Sequence, residues 1–275
     1  MAISIRANIN TMEVRLPIGI YLKKDDTRHE TCVVKAMDGN DEEVVSEKKL
    51  RNNGAKMVTA LLARKIIKVG EHDFPNGVGE NVVREMFSDD RDTCLVAVRK
   101  LMRDEMEIDA RCPQCGETEE RVIYMSKKLA ECKHWGDEEI HQTTNEVGVI
   151  EFELPDGLVV FDDSDNSEKI CKKGKIQMPT GKMEELVAKN GMKNPGSANS
   201  VLLSSCIREI ENIRRIDEDV VKAMSRNDRE YLSNLVEDAK CGPNFLEEIE
   251  CYNCDYEYKF MMQLPYFFTS GRNRK

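Results

Sequence analysis

The sequence predicts a mixed α+β protein of two pseudo-repeats, each a small β unit plus helices that ends in a cysteine hairpin. Three observations predict it. Five landmarks recur in the same order at a nearly constant offset of about 140 residues. Segments with apolar residues at helical spacing alternate with extended segments of period two. Two CxxC pairs, Cys112/Cys115 and Cys251/Cys254, close the two series. The length of 275 residues also corresponds to roughly two domains.

The first landmark is Leu16-Pro17-Ile18-Gly19, which returns as Leu154-Pro155-Asp156-Gly157. Proline fixes φ and removes an amide donor, so each copy predicts a strand edge or turn. A second extended stretch follows at residues 31–35 and again at 175–178. Each copy leads to a glycine turn with an acidic pair, Gly39 with Glu42 and Glu43, then Gly181 with Glu184 and Glu185. Next comes an amphipathic helix. Val58, Leu61, Leu62, Ile66 and Val69 share one face, as do Leu203, Cys206, Ile207, Ile210 and Ile213.

A further helix opens at Ser88-Asp89-Asp90-Arg91-Asp92 and carries Leu95, Val98, Leu101 and Met102. Its counterpart opens at Ser225, where Ser225-x-x-Asp228 has the spacing of a helix-start box, and carries Tyr231, Leu232, Leu235 and Val236. The period then shifts from near 3.6 to 2. Ile108 and Ala110 alternate with charges before one CxxC, and Tyr256, Tyr258, Phe260 and Met262 alternate after the other. Each CxxC therefore falls at the turn of a short hairpin. The boundaries that follow are a first repeat at 1–125, a polar linker at 126–147, a second repeat at 148–269 and a basic tail at 270–275. The acidic run from Asp162 lacks the glycine and glutamate of a calcium loop and reads as solvated surface.

Composition narrows the function. The chain is 40% hydrophobic and 33% charged with a formal net charge of −10. Disorder is excluded by the plentiful, patterned apolar residues. No apolar run reaches the ~20 residues of a membrane span, and the first residues carry no secretory core. A soluble chain in a reducing cytosol is expected. The acidic balance opposes non-specific nucleic-acid binding, which needs cations to displace counterions.

The ten cysteines carry the strongest chemical signal. A CxxC turn lets two thiolates approach one ion, and two such turns supply the four soft ligands of a tetrahedral zinc site. The favoured assignment is a shared structural zinc held by Cys112, Cys115, Cys251 and Cys254. A local alternative uses Cys112, Cys115, Cys132 and His134. Free structural thiols are the third reading, and Cys94 and Cys206 are expected to be buried thiols in any case. No catalytic constellation accompanies these ligands. His72 sits in a polar Glu-His-Asp turn and reads as solvated, and no phosphate-binding glycine loop or HExxH motif occurs. A closed four-thiolate site leaves no position for catalytic water.

The ordered elements resemble the baseplate (hub and tail-assembly) protein family of T4-like contractile-tailed phages. The resemblance rests on the Leu16–Gly19 strand, the turn with Glu42 and Glu43, the helix Met57-Val-Thr-Ala-Leu-Leu-Ala-Arg-Lys-Ile66, the acidic helix start running into Leu95-Val-Ala-Val-Arg99, and the knuckle Cys112-Pro-Gln-Cys115-Gly116. The chain departs from the pattern in carrying two copies, and its second knuckle lacks that proline and glycine. The resemblance implies a non-enzymatic structural or assembly protein of the baseplate, partnered by other tail proteins in an oligomeric assembly. It also implies residence in the host cytoplasm during assembly and then in the virion. The C-terminal run with Leu264, Tyr266, Phe267 and Phe268 is the candidate interface anchor, because aromatics dominate interface hot spots; the competing role for this run is to close the second repeat's own core. The alternative function is a zinc-ribbon nucleic-acid-binding or transcription accessory protein.

Overall fold

The computed structural model describes residues 10–47, 50, 52–137, 146–162, 167–191, 194–213 and 215–268. The basic tail, most of the acidic run after Asp162, and residues 138–145 of the linker lie outside them. The fold is mixed α+β with several small sheets. Among the described residues no helix is long and apolar enough to cross a membrane.

The first half opens with β1 (Thr11–Leu22) antiparallel to β2 (Thr27–Lys35), followed by α1 (Gly39–Ser46) and α2 (Gly54–Lys65). Strand β3 (Ile66–Val69) pairs with β2, and β4 (His72–Asp73) completes a four-stranded sheet in the order β1-β2-β3-β4. Then come α3 (Glu80–Glu85), α4 (Ser88–Met102), the hairpin β5 (Glu105–Arg111) and β6 (Thr118–Tyr124), and α5 (Met125–Ala130). The second half runs β7 (Val149–Asp162), β8 (Ser167–Gln177), α6 (Gly181–Gly191), α7 (Ala198–Cys206) and β9 (Ile207–Ile210), with its sheet ordered β7-β8-β9. Helices α8 (Glu218–Ala223) and α9 (Arg226–Asp238) follow, then the hairpin β10 (Leu246–Glu250) and β11 (Glu257–Met261), and a 3₁₀ turn at Leu264–Phe267.

The Leu-Pro-x-Gly segments are bulges inside long strands. Pairing of β1 with β2 shifts register between Arg15 and Ile20, and that of β7 with β8 shifts between Glu153 and Leu158. A bulge leaves amides without ladder partners, and buried amides must find others. In the first half Ile18 N–H donates to Asp90 Oδ1 at 2.8 Å, and Gly19 N–H to both oxygens at 3.1 and 3.0 Å. In the second, Asp156 N–H donates to Asp228 Oδ1 at 2.8 Å, and Gly157 N–H to Asp228 Oδ2 at 3.2 Å. Gly19 and Gly157 hold φ of 103° and 87°, a conformation that glycine adopts without a Cβ penalty.

Several sequence expectations change. The amphipathic helices stop at Lys65 and Cys206, and Ile66, Val69, Ile207 and Ile210 belong to strands. Apolar residues three apart fit a helix face, but these β-branched residues gain ladder bonds to β2 and β8 that a longer helix would forgo. Gly39 and Gly181 are not turns but first residues of α1 and α6. Ser225 does cap α9, accepting from Asp228 N–H at 3.0 Å. The matching cap position of α4 is Phe87 rather than Ser88.

The core also ignores the expected boundary at 148. One cluster, built from β1 to β3, α2, α4 and the β5–β6 hairpin, includes Ile249, Met262 and Phe267 from the end of the chain. The other, built from β7 to β9 and α7 to α9, takes in Ile18 and Phe87 from the first half. The linker begins as helix α5, and Trp135 beyond it packs on the second cluster while its backbone N–H donates to Pro17 O at 2.8 Å.

Polar contacts fasten the halves further. Arg91, 1% exposed, reaches Thr59 Oγ1 at 2.9 Å, Ala55 O at 2.9 Å and the Glu184 carboxylate at 3.2 Å. Glu185 accepts from Thr59 Oγ1 at 2.7 Å and from Arg84 Nε at 3.2 Å. The acidic pair noticed in the sequence at 184–185 is therefore a clamp onto α2, α3 and α4. In the first half, Asp41 instead pairs with the buried Lys65.

Candidate metal centre

Strand β5 delivers Cys112 and strand β10 delivers Cys251 to the mouths of their hairpins, where both are buried. Cys115 and Cys254 lie on the solvent side. The two turns are built alike. Cys112 N–H donates to Glu117 O at 2.8 Å and Gly116 N–H to Cys112 O at 3.0 Å. Cys251 N–H donates to Tyr256 O at 3.0 Å and Asp255 N–H to Cys251 O at 2.9 Å. The residue after each second cysteine is left-handed, Gly116 at φ 77° and Asp255 at φ 55°. Aspartate is among the few residues that tolerate that region, so the second turn keeps its shape without the glycine.

The four sulfurs form one cluster, with all ligand atoms within 4.8 Å of one another. Cys112 Sγ lies 3.7 Å from Cys254 Sγ, and Cys115 Sγ lies 3.6 Å from Cys251 Sγ. Four sulfurs placed ~2.3 Å from one ion at tetrahedral angles are ~3.8 Å apart. The donor set and spacing therefore fit a tetrahedral thiophilic cation. The thiols differ as free groups: the Glu117 N–H above all brings Cys115 down to about 6, while burial pushes Cys251 up to about 12. A dication supplies the positive charge that buried thiolates need.

Side chains next to the sulfurs lock the two hairpins together. Glu119 accepts from Tyr252 N–H at 2.5 Å and pairs with Arg121 at 2.6 Å. Arg121 donates to Glu250 O at 2.5 Å, and its guanidinium lies 3.7 Å from the centre of the Tyr252 ring. These contacts orient the knuckles from outside the cluster.

The local alternative is not assembled. Cys132 turns its thiol to Lys128 O at 3.3 Å, and His134 sits apart, its backbone N–H bonded to Asp137 at 2.7 Å. The sequence places them near Cys115, but β6 and α5 carry the chain away from the hairpin tip. Cys94 and Cys206 are fully buried. The C-terminal aromatic run is internal: Phe267 is 2% exposed, meets Phe245 with ring centres 5.4 Å apart, and packs with Leu264, Tyr266 and Phe268 on the first core cluster. It forms a 3₁₀ turn rather than a strand, and it packs on the first half's core rather than the second half's own, with Leu264, Tyr266 and Phe268 half-buried.

Sequence reasoning missed a second cluster. Asp25 in the β1–β2 turn, His29 on β2 and His72 on β4 bring their ligand atoms within 4.8 Å of one another. The bond from His72, ahead of those from Thr27 and His29, holds the Asp25 carboxylate down to about 2. No local spacing announces this group, because β3 must fold back on β2 before His72 meets His29. Family models, curated proteins and solved structures offer no match to this chain.

Proposed function

We propose that the chain is a non-enzymatic structural or assembly protein of a contractile phage tail baseplate, held together by a structural zinc and acting through protein surfaces. The observation that carries the zinc is the sulfur cluster, whose four thiolates come from two hairpins far apart in sequence. Four protein ligands close a tetrahedral site, so its role is to tie the hairpins together rather than to activate water. The same reading makes the chain an internal duplication. Its support is the order strand, strand, helix, helix, strand, helix, helix, hairpin, which both halves share apart from the short β4 that the first half adds after β3, together with the two bulges clasped by Asp90 and Asp228.

Support for a protein partner comes from the outer end of the β7–β8 hairpin. Val159 and Ile170 face each other across the ladder, each 63% exposed, and Phe161 continues the same face at 53%. Apolar side chains ranked on one open strand face mark a protein contact rather than scattered surface. The baseplate assignment itself rests on the resemblance of the ordered motifs. Other tail proteins are the partners, met in the host cytoplasm and retained in the virion.

Mass spectrometry of purified phage particles beside infected-cell lysate tests this reading. A fixed ratio to tail proteins in particles makes the chain a baseplate subunit, and association with unfinished tails alone makes it an assembly factor. Absence from both, with salt-sensitive binding to DNA or RNA, overturns it in favour of a zinc-ribbon nucleic-acid protein.

A further inference from the structure

From the geometry of Asp25, His29 and His72 we infer that the four-stranded sheet carries a second metal site, for a divalent transition cation of the zinc, cobalt or nickel kind. Both imidazoles turn Nε2 to the same carboxylate oxygen. Asp25 Oδ2 lies 3.0 Å from His29 Nε2 and 2.5 Å from His72 Nε2. Nitrogen and oxygen ligands ~2.0–2.1 Å from one ion are ~3.3 Å apart, so each contact to the carboxylate admits an ion by opening less than an ångström. The rings give an independent measure. An ion bound at Nε2 lies ~3.2 Å from the ring centre, so two imidazoles at a tetrahedral angle have centres ~5.2 Å apart. The His29 and His72 centres are 5.4 Å apart, with the rings at 89°.

The backbone around the group holds this arrangement. Gly70, in the β3–β4 turn at φ 52°, lies so close to His29 that an added Cβ would sit 2.2 Å from His29 Nδ1. A glycine there lets the turn close against the imidazole and aims its far nitrogen at Asp25. Two lysines of the flanking segments are engaged elsewhere: Lys24 lies over the Phe74 ring and Lys68 pairs with Glu71. The three ligand side chains are 17–31% exposed, so a fourth position faces solvent. Two imidazoles and one carboxylate suit zinc, nickel and cobalt better than magnesium or calcium, which prefer oxygen. This site shares no residue with the thiolate cluster.

Cobalt titration of the full chain, with its thiolate cluster already loaded with zinc, tests the site. The expected result is one further equivalent of Co²⁺ whose visible bands lack thiolate charge transfer. His72→Ala and Asp25→Asn should each weaken that equivalent by at least ~100-fold, a direct ligand counting for more than the outer partners whose loss costs 10–100-fold. Both side chains are partly exposed, Asp25 on a turn and His72 on the short edge strand β4, so circular dichroism should show the variants folded; His29→Ala is the third variant. Saturation at the zinc already bound, or a further equivalent that survives in both folded variants, overturns the site. Cys112→Ser separates the two centres: it should remove the thiolate-bound ion and leave the histidine-dependent one.

Discussion

The two bulge clasps use one backbone device in opposite surroundings. Around Asp90 everything is interior: Pro17, Ile18 and Gly19 are buried, and the Ile18 side chain enters the core of the other half. Around Asp228 the carboxylate is buried but the bulge is not. Asp156 replaces Ile18, stands exposed, and takes a hydrogen bond from Ser225 Oγ at 2.6 Å. The first clasp thus joins the halves, while the second joins only β7 to its own helix. One residue in a four-residue motif, isoleucine against aspartate, decides whether that bulge faces a neighbour or water.

The largest effect expected concerns what else joins the halves. Cys112→Ser and Cys251→Ser should each release the same thiolate-bound ion, lowering metal content by one equivalent per chain. An undiminished metal content after Cys251→Ser, measured by elemental analysis in the His72→Ala background, would break the shared cage.

The clasps themselves come next. Asp90→Ala strands two buried amides and should cost about 2–4 kcal/mol, whereas water can reach the exposed bulge after Asp228→Ala, for about 1–2 kcal/mol. Urea unfolding of both variants checks the ranking, and equal losses would show that the surroundings do not matter.

A pH series sharpens the contrast. Burial pushes Asp90 up to about 6 and its neighbour Asp89 up to about 7, above the ~3.9 of an unfolded chain. Groups with raised folded values stabilise fully below the unfolded value and lose that contribution as pH rises through the folded one. Wild-type stability should therefore fall from about pH 4 to about pH 7, and the fall should flatten in Asp89→Asn/Asp90→Asn. An unchanged slope in the double variant would show that other groups set it.

The smallest effect lies in the knuckles. Asp255→Gly relieves a left-handed aspartate and should stabilise by up to about 1 kcal/mol, with Gly116→Asp losing a similar amount. Thermal melts of the zinc-loaded protein would read both, and destabilisation by Asp255→Gly would mean that the aspartate side chain itself supports the turn.

Local chemistry was legible in the sequence. The CxxC hairpins, the long helix after Ser88 and the Ser225 cap each rest on residues a few positions apart. What was hidden depends on partners far along the chain. Ile66 and Ile207 leave their helices because β2 and β8 offer ladder bonds. Phe267 is buried against a core whose other residues lie far back along the chain. Asp25, His29 and His72 meet only after three strands pair, so no spacing rule reaches them. The Leu-Pro-x-Gly motif was visible, but the receiving carboxylates, 71 and 72 residues away, were not.

The placement of Ile249, Met262 and Phe267 in the first cluster has a consequence for biosynthesis. The sulfur pairs that close the cage are 142 and 136 residues apart. A ribosome adding about 5–20 residues per second therefore leaves the amino-terminal core unfinished for several seconds, with apolar surface waiting for its last strands. Contacts of such long range slow folding. Until the β10–β11 hairpin emerges the amino-terminal core lacks those side chains, so its completion is expected late in synthesis rather than half by half.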